Sequence, residues 1–227
     1  MDVLDHGAEF GELAGFAERI KAETDAAHRQ TEQSRFVGDL LAGKLTAEGY
    51  AALLTQTYLV YESLERAAGN HAADPVAAPF IAPELIRLPA LAADLEFLLG
   101  PQWLDQVTAT PATAAYVARL EEVAFTSPAA FVAHHYLRYM GDLSGGQIIR
   151  RMLERAYGYE VDGLRFYIFD QIAKPKVFKD EYRAKLDQAP FSADEQARFI
   201  DEVNLAYGLN GDLFADLEAD IDRYLVK

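Results

Sequence analysis

Ala133-His134-His135-Tyr136-Leu137-Arg138-Tyr139-Met140-Gly141-Asp142-Leu143-Ser144-Gly145-Gly146-Gln147 is the stretch on which the fold turns. Upstream, Ser127-Pro128 pairs an N-cap residue with proline at the first helical position, and downstream Gly158 supplies a stop. The spacing therefore predicts one helix from Pro128 to about Tyr157, with three glycines near its middle. Each glycine costs about 1 kcal/mol against alanine in a helix interior, so roughly 3 kcal/mol is given up. Something must offset that. Gly141 and Gly145 lie four apart and share a face. Such a face can bend and admit a flat, bulky ligand close to the backbone. The same spacing suits close packing of a second helix, and glycine spacing alone does not separate the two.

Helical periodicity continues on either side. Tyr50, Leu53, Leu54, Tyr58, Tyr61 and Leu64 repeat near 3.6 residues, with Thr46 as N-cap. Thr110-Pro111 marks another start. Ser192-Ala193-Asp194-Glu195 is a capping box ahead of Phe199, Ile200, Val203 and Tyr207. Four prolines between Pro75 and Pro89 read as a loop with a short helix, the pattern resuming at Leu91 and Leu95. Arg165 to Asp170 is the one strand candidate, and helix or loop is preferred there. The expected fold class is all-α, as a single domain.

The 227 residues carry 36 Asp and Glu against 21 Lys and Arg, a net charge of −15, and 51% are hydrophobic. That excludes disorder and argues against general binding to nucleic acid or anionic membranes, since the field repels polyanions. The chain has no cysteine. Disulfides, thiolate metal sites and covalent haem attachment are therefore excluded. No run of about 18 apolar residues is present. The acidic start, Met1 to His6, lacks a signal-peptide pattern, and no apolar anchor follows Leu225-Val226-Lys227. A cytoplasmic protein is expected.

Two motifs suggest a nucleotide. Leu143-Ser144-Gly145-Gly146-Gln147 matches an ATPase signature, and Gly38 to Lys44 has the spacing of a phosphate loop. The loop would need Ser or Thr after its lysine, where this chain has Leu45, and a strand feeding it. The nucleotide reading is set aside. None of the five histidines has Glu three residues before it, as a di-iron carboxylate bundle requires.

A second candidate segment runs from Lys21 to Glu32. Ile20, Thr24, His28 and Thr31 share one helical face. Lys21 lies two turns before His28, about 10 Å along the axis. Glu32 is placed to accept a hydrogen bond from the His28 ring and so orient it as an axial ligand. A structural histidine in such a stripe is the plainer reading.

The AHHYLRY and GDLSGGQ strings, the His28 helix and Lys179-Asp180-Glu181-Tyr182-Arg183 together resemble the haem oxygenase family, in consistent order from about Leu13 to Leu217. The resemblance implies a haem oxygenase-like multi-helical fold with haem between a proximal and a kinked distal helix. It divides the chain into an N-terminal extension (1–9), a domain (10–220) and a C-terminal tail (221–227). It implies haem b as both cofactor and substrate, cleaved with O2 and external electrons to biliverdin, carbon monoxide and ferrous iron. His28 would be the axial iron ligand, with no other metal. Gly141 and Gly145 would form the distal wall, with Asp142 ordering water beside the oxygen position.

Tyr61, Arg138 and Asn210 match the distal hydrogen-bond network. The plainer alternatives are a core tyrosine for Tyr61 and an i,i+4 partner of Asp142 for Arg138. Lys21, Tyr136, Lys179 and Arg183 match positions that meet the propionates, and Ser144 belongs to the same haem-binding set. A solvated surface is the alternative for Lys179. His134 and His135 read as structural, His6 and His71 as solvent-facing. A monomer is expected, served by an electron-donor protein (ferredoxin, flavodoxin or a reductase) at a basic patch for which Lys174, Lys176 and Lys179 are candidates. Pro175 marks a helix start. A non-catalytic haem carrier or sensor is the competing reading, disfavoured because Asp142 is intact.

Overall fold

The computed structural model describes residues 15–227, so His6 and the 1–9 extension lie outside the described residues. In chain order the helices are α1 (Phe16–Thr31), α2 (Arg35–Leu41), α3 (Ala47–Asn70), α4 (Leu88–Leu99), α5 (Pro111–Val123), α6 (Pro128–His135), α7 (Gly146–Tyr157), α8 (Pro175–Gln188) and α9 (Ala193–Ala219). Among the described residues, extended pairing is limited to an isolated bridge between Leu45 and Leu225. The all-α expectation is met.

Helix α3 runs through the core, burying Tyr50, Leu53, Leu54, Val60, Tyr61 and Leu64. Helix α9 packs against α1, α5 and α6 and closes the other side. Local signals explain most boundaries. Thr110, Ser127 and Ser192 each accept a hydrogen bond from the backbone N–H three residues on, and Ser192 with Glu195 completes the capping box. Pro175 opens α8, and Gly158 closes α7 at φ +72°.

Four expectations need correction. The helix from Pro128 to Tyr157 is not continuous. It leaves α6 through a π turn at Tyr136–Met140, breaks at Leu143–Gly145 and resumes as α7. Thr46 does hold the N-cap position of α3, but its hydroxyl makes no cap and is buried without a partner; its N–H donates to the Tyr224 carbonyl at 2.7 Å. His71 is buried rather than solvent-facing, its Nε2 lying 2.7 Å from the Ala124 carbonyl with Phe131 beside the ring. The segment set apart as a tail is tied down, with Val226 N–H donating to the Lys44 carbonyl at 2.9 Å.

The Arg165–Asp170 run forms no strand but a short 3-10 turn at Arg165–Tyr167. Gly38 lies inside α2, and Lys44 reaches back to Asp39 at 2.8 Å. A phosphate cradle is not formed there. No helix of the described residues is long and apolar enough to cross a membrane.

Candidate functional site

A cleft of about 1040 Å³ opens between α1, α2 and α9 on one side and the broken segment after α6 on the other. His28 and Glu32 line its first wall; Gly141, Asp142 and Gly145 line the opposite one.

His28 sits on the last turn of α1, its side chain 48% exposed, with Nε2 3.4 Å from Glu32 Oε1. Its ring tilts over Tyr207 at 5.4 Å between centroids. The helix beneath it is firmly seated. Ile20 and Thr24 are buried, Thr31 donates to the Tyr207 carbonyl of α9 at 3.2 Å, and the Asp187 carboxylate of α8 accepts the Ala17 N–H at 2.8 Å.

The opposite wall has a different construction. Gly141 and Gly145 both have ordinary right-handed backbone angles, so conformation does not demand glycine. Space does. A Cβ added at Gly141 would point into open space, and one at Gly145 would meet only the Gly141 carbonyl at 3.7 Å. The third glycine serves packing instead: a Cβ on Gly146 would come within 3.2 Å of the Tyr167 ring.

Behind the glycines lies a polar cluster. The Tyr61 hydroxyl donates to the Asp142 carboxylate. Arg138 donates through Nη1 to Asn210 Oδ1 at 2.8 Å, with its guanidinium 5.0 Å above the Tyr61 ring. Arg138 Nε is buried with no protein partner. Burial pushes the Asp142 carboxyl above its ordinary range, opposed by the Arg138 charge, the Tyr61 hydrogen bond and the Arg87 charge. Burial and the nearby Asp142 charge hold Tyr61 firmly as the phenol. Arg138 and Asp142 do not form the i,i+4 pair a regular helix would allow. The π turn shifts their angular register, and Arg138 reaches across to α9.

An imidazole facing bare backbone, with a half-buried carboxylate behind it, is matched by likeness over most of the chain. The family model described as "Heme oxygenase" matches residues 14–216. The chain belongs to the haem oxygenase family. It is 35% identical to "Heme oxygenase" of Pyropia yezoensis over 89% of this chain and 86% of that protein. It is 34% identical to "Heme oxygenase 1" of Nostoc over 92% and 88%. The crystal structure of heme oxygenase-1 from Synechocystis in complex with heme superimposes with a TM-score of 0.88 at 33% identity, covering 92% of this chain and 95% of that one. Heme oxygenase from Leptospira interrogans superimposes at 0.85, again at 33% identity, covering 89% and 99%. The family, its fold and its enzymatic class, a haem-degrading oxygenase, are thereby those of this chain.

The cleft fits the family's flat ligand on its own terms. It has a nitrogen donor on one wall, no side chains on the glycine wall, and apolar sides from Leu41, Ile149 and Phe214. Other residues expected at a haem oxygenase site stand back from it. Lys21 is exposed and is not part of the cleft lining. Lys179 is not a free surface cation, since its Nζ donates to Ser144 Oγ at 2.9 Å and ties α8 to the helix break. Arg183 donates to Asp180 at 2.9 Å. Tyr136 is half-buried near Tyr182.

His134 and His135 are structural, as expected. His134 Nε2 lies 2.9 Å from Glu202, and His135 Nδ1 lies 2.9 Å from the Tyr182 hydroxyl, with burial lowering His135 to about 3. Sequence reasoning missed the cleft residues Phe166, Tyr167, Tyr207 and Phe214. Tyr207 alone carried a signal, as the last member of the α9 stripe. Among the described residues, His, Cys, Asp and Glu form no group of three or more suited to a metal ion.

Proposed function

We propose that residues 10–220 act as a biliverdin-forming haem oxygenase domain, with haem b held between His28 and the Gly141–Gly145 wall. The observation that carries this is the single cleft shared by the His28 imidazole, side-chain-free backbone and the Asp142 carboxylate, which Tyr61 holds from behind. Bound haem supplies both the iron that activates O2 and the ring that is cut, to biliverdin, carbon monoxide and ferrous iron.

The chain's own residues divide the remaining work. His28 offers a ring nitrogen to the iron, and Glu32 steers the ring by accepting from it. Glycine at 141 and 145 lets the ligand approach backbone and excludes other side chains from its edge. Asp142, neither free in solvent nor locked in an ion pair, holds and passes a proton through water at its carboxylate. Tyr61 stays protonated and fixes one Asp142 oxygen. Arg138 and Asn210 hold each other, leaving Arg138 Nε to bind water in the same network. Lys21, Tyr136, Lys179 and Arg183, with Ser144 bonded to Lys179, receive the propionates of a dianionic ligand in an otherwise acidic chain.

Electrons come from a separate donor protein, a ferredoxin, flavodoxin or reductase. Of the basic candidates for its docking, Lys176 is engaged by Asp180 at 3.1 Å and Lys179 by Ser144, which leaves Lys174 least encumbered.

The test is hemin titration followed by reductant under oxygen. Loss of the Soret band with growing biliverdin absorbance supports the enzyme; a persistent Soret band would instead mark a carrier. His28→Ala is expected to lose the histidine-ligated spectrum and to regain it with added imidazole. An unchanged spectrum would remove His28 from the iron.

A further inference from the structure

Behind the glycine wall, the segment from Gly163 to Ile168 is regular only in its short 3-10 turn at Arg165–Tyr167, and it is largely buried: Arg165 points out, while Leu164, Phe166 and Tyr167 are almost wholly inside. A buried irregular segment must find partners for its peptide groups. Two ionic side chains provide them, one on each side. Asp94 of α4, fully buried, accepts the Arg165 N–H at 3.0 Å and the Phe166 N–H at 2.8 Å. Arg87, just before α4, donates to the Ile168 carbonyl at 2.7 Å and the Phe166 carbonyl at 3.4 Å, and covers the Phe169 ring at 4.1 Å.

Neither charge is neutralised by the other. The Arg165 guanidinium turns away to Asp162 at 2.7 Å, and Glu65 accepts the Arg87 backbone N–H rather than its guanidinium. The result is a turn flanked by two charged side chains, with peptide N–H groups facing the anion and carbonyls facing the cation. Buried charges without counter-ions are expensive. Burial pushes Asp94 up to about 6, even against the N–H groups of Phe166, Arg165 and Gly163. Such an arrangement calls for a function beyond cohesion.

The turn supports both halves of the distal wall. Phe166 meets the Tyr61 ring edge-on at 5.4 Å, and Tyr61 in turn donates to Asp142. Tyr167 packs on Gly146 and accepts from Gln147 Nε2 at 2.8 Å through its carbonyl. We propose that Asp94 is a positioning residue for the reaction: by gripping the amides of Arg165 and Phe166 it seats Phe166 against Tyr61 and sets how the Tyr61–Asp142 pair faces the cleft. This rests on the functional reading above for its purpose, but not for its test.

The test uses the ligand-free chain and two readouts. One is amide hydrogen exchange at Arg165 and Phe166. The other is the titration midpoint of the Asp142 carboxyl, followed by carbon-13 NMR. Asp94→Asn keeps the shape, one acceptor oxygen and no charge. Exchange at the two amides is expected to quicken about tenfold or more. The Asp142 midpoint is expected to rise by about half a unit as the Tyr61 hydrogen bond loosens.

The direction matters, because removing a negative charge would by itself move Asp142 down. Unchanged exchange would overturn the grip. Faster exchange with an unmoved or lowered midpoint would make Asp94 merely structural. Should Asp94→Asn fail to fold, Phe166→Leu removes the ring that touches Tyr61 while Asp94 keeps its amides. It should raise the Asp142 midpoint with exchange unaltered, and an unmoved midpoint would overturn the proposal. Failure to form a haem complex would count against the function alone, since neither readout involves haem.

Discussion

Two polar clusters leave the same run of chain four residues apart, and they are built to opposite ends. His134 points to Glu202, which Arg119 also grips through two nitrogens at 2.6 and 3.0 Å. Burial pushes the Glu202 carboxyl up, but hydrogen bonds from His134 and Arg119 outweigh it and bring it down to about 2. That cluster holds its carboxylate from both sides and ties α5, α6 and α9 together, with His134 Nδ1 its one unpartnered ring nitrogen. The cluster around Arg138 and Asp142 is left partly unsatisfied and open to the cleft, and burial keeps its carboxyl high. One cluster stabilises the fold. The other leaves a carboxyl on the cleft wall, held by Tyr61 and clear of any ion pair.

If that contrast is right, substitutions in the two clusters should separate stability from turnover. The largest effect belongs to Glu202→Ala, which strips buried His134 and partly exposed Arg119 of their shared partner and should lower unfolding free energy by about 3 kcal/mol, measured by urea denaturation. Since the folded value of Glu202 is about 2 against an ordinary 4.5, its contribution is full above the ordinary value and is lost as pH falls through the folded one. The variant should lack that acid limb of the stability profile. Lost turnover with unchanged unfolding free energy would break the comparison.

Asp142→Ala should do the reverse: haem binding and melting temperature stay close to the parent, while biliverdin formation falls about a hundredfold. Normal biliverdin yield would strike Asp142 from the mechanism. Tyr61→Phe keeps the ring against Phe166 and Tyr139 but frees Asp142, so single-turnover assays should show about a tenfold loss, equivalent to about 1.4 kcal/mol. Lys176→Ala, an exposed pair with Asp180, should change stability by less than about 0.5 kcal/mol.

Much of this was legible before any coordinates. Helix caps at Thr110, Ser127 and Ser192 depend on residues three apart, and such local rules are readable in one dimension. The family strings located His28, Gly141, Asp142 and Gly145, and the structure brings all four to one cleft. What escaped notice depends on distant partners. Phe166 and Tyr167 sit in a segment whose apolar run suggested only a weak strand. Their burial comes from Asp94, some 70 residues away, which no local pattern reveals. His71 failed for the same reason, its Ala124 partner lying on another helix.

The π turn at Tyr136–Met140 has one more consequence. A π turn spends an additional residue on its revolution at a wider winding, so four α residues, at about 100° each, sweep nearly the angle that five sweep there. Deleting a single residue would therefore restore regular winding and leave the helix beyond it almost where it stands. The extra residue acts locally: it sends Arg138 across to Asn210 of α9 instead of along the helix to Asp142. A lost codon at this point would be felt first in that one contact, with α7 and the signature string still in place.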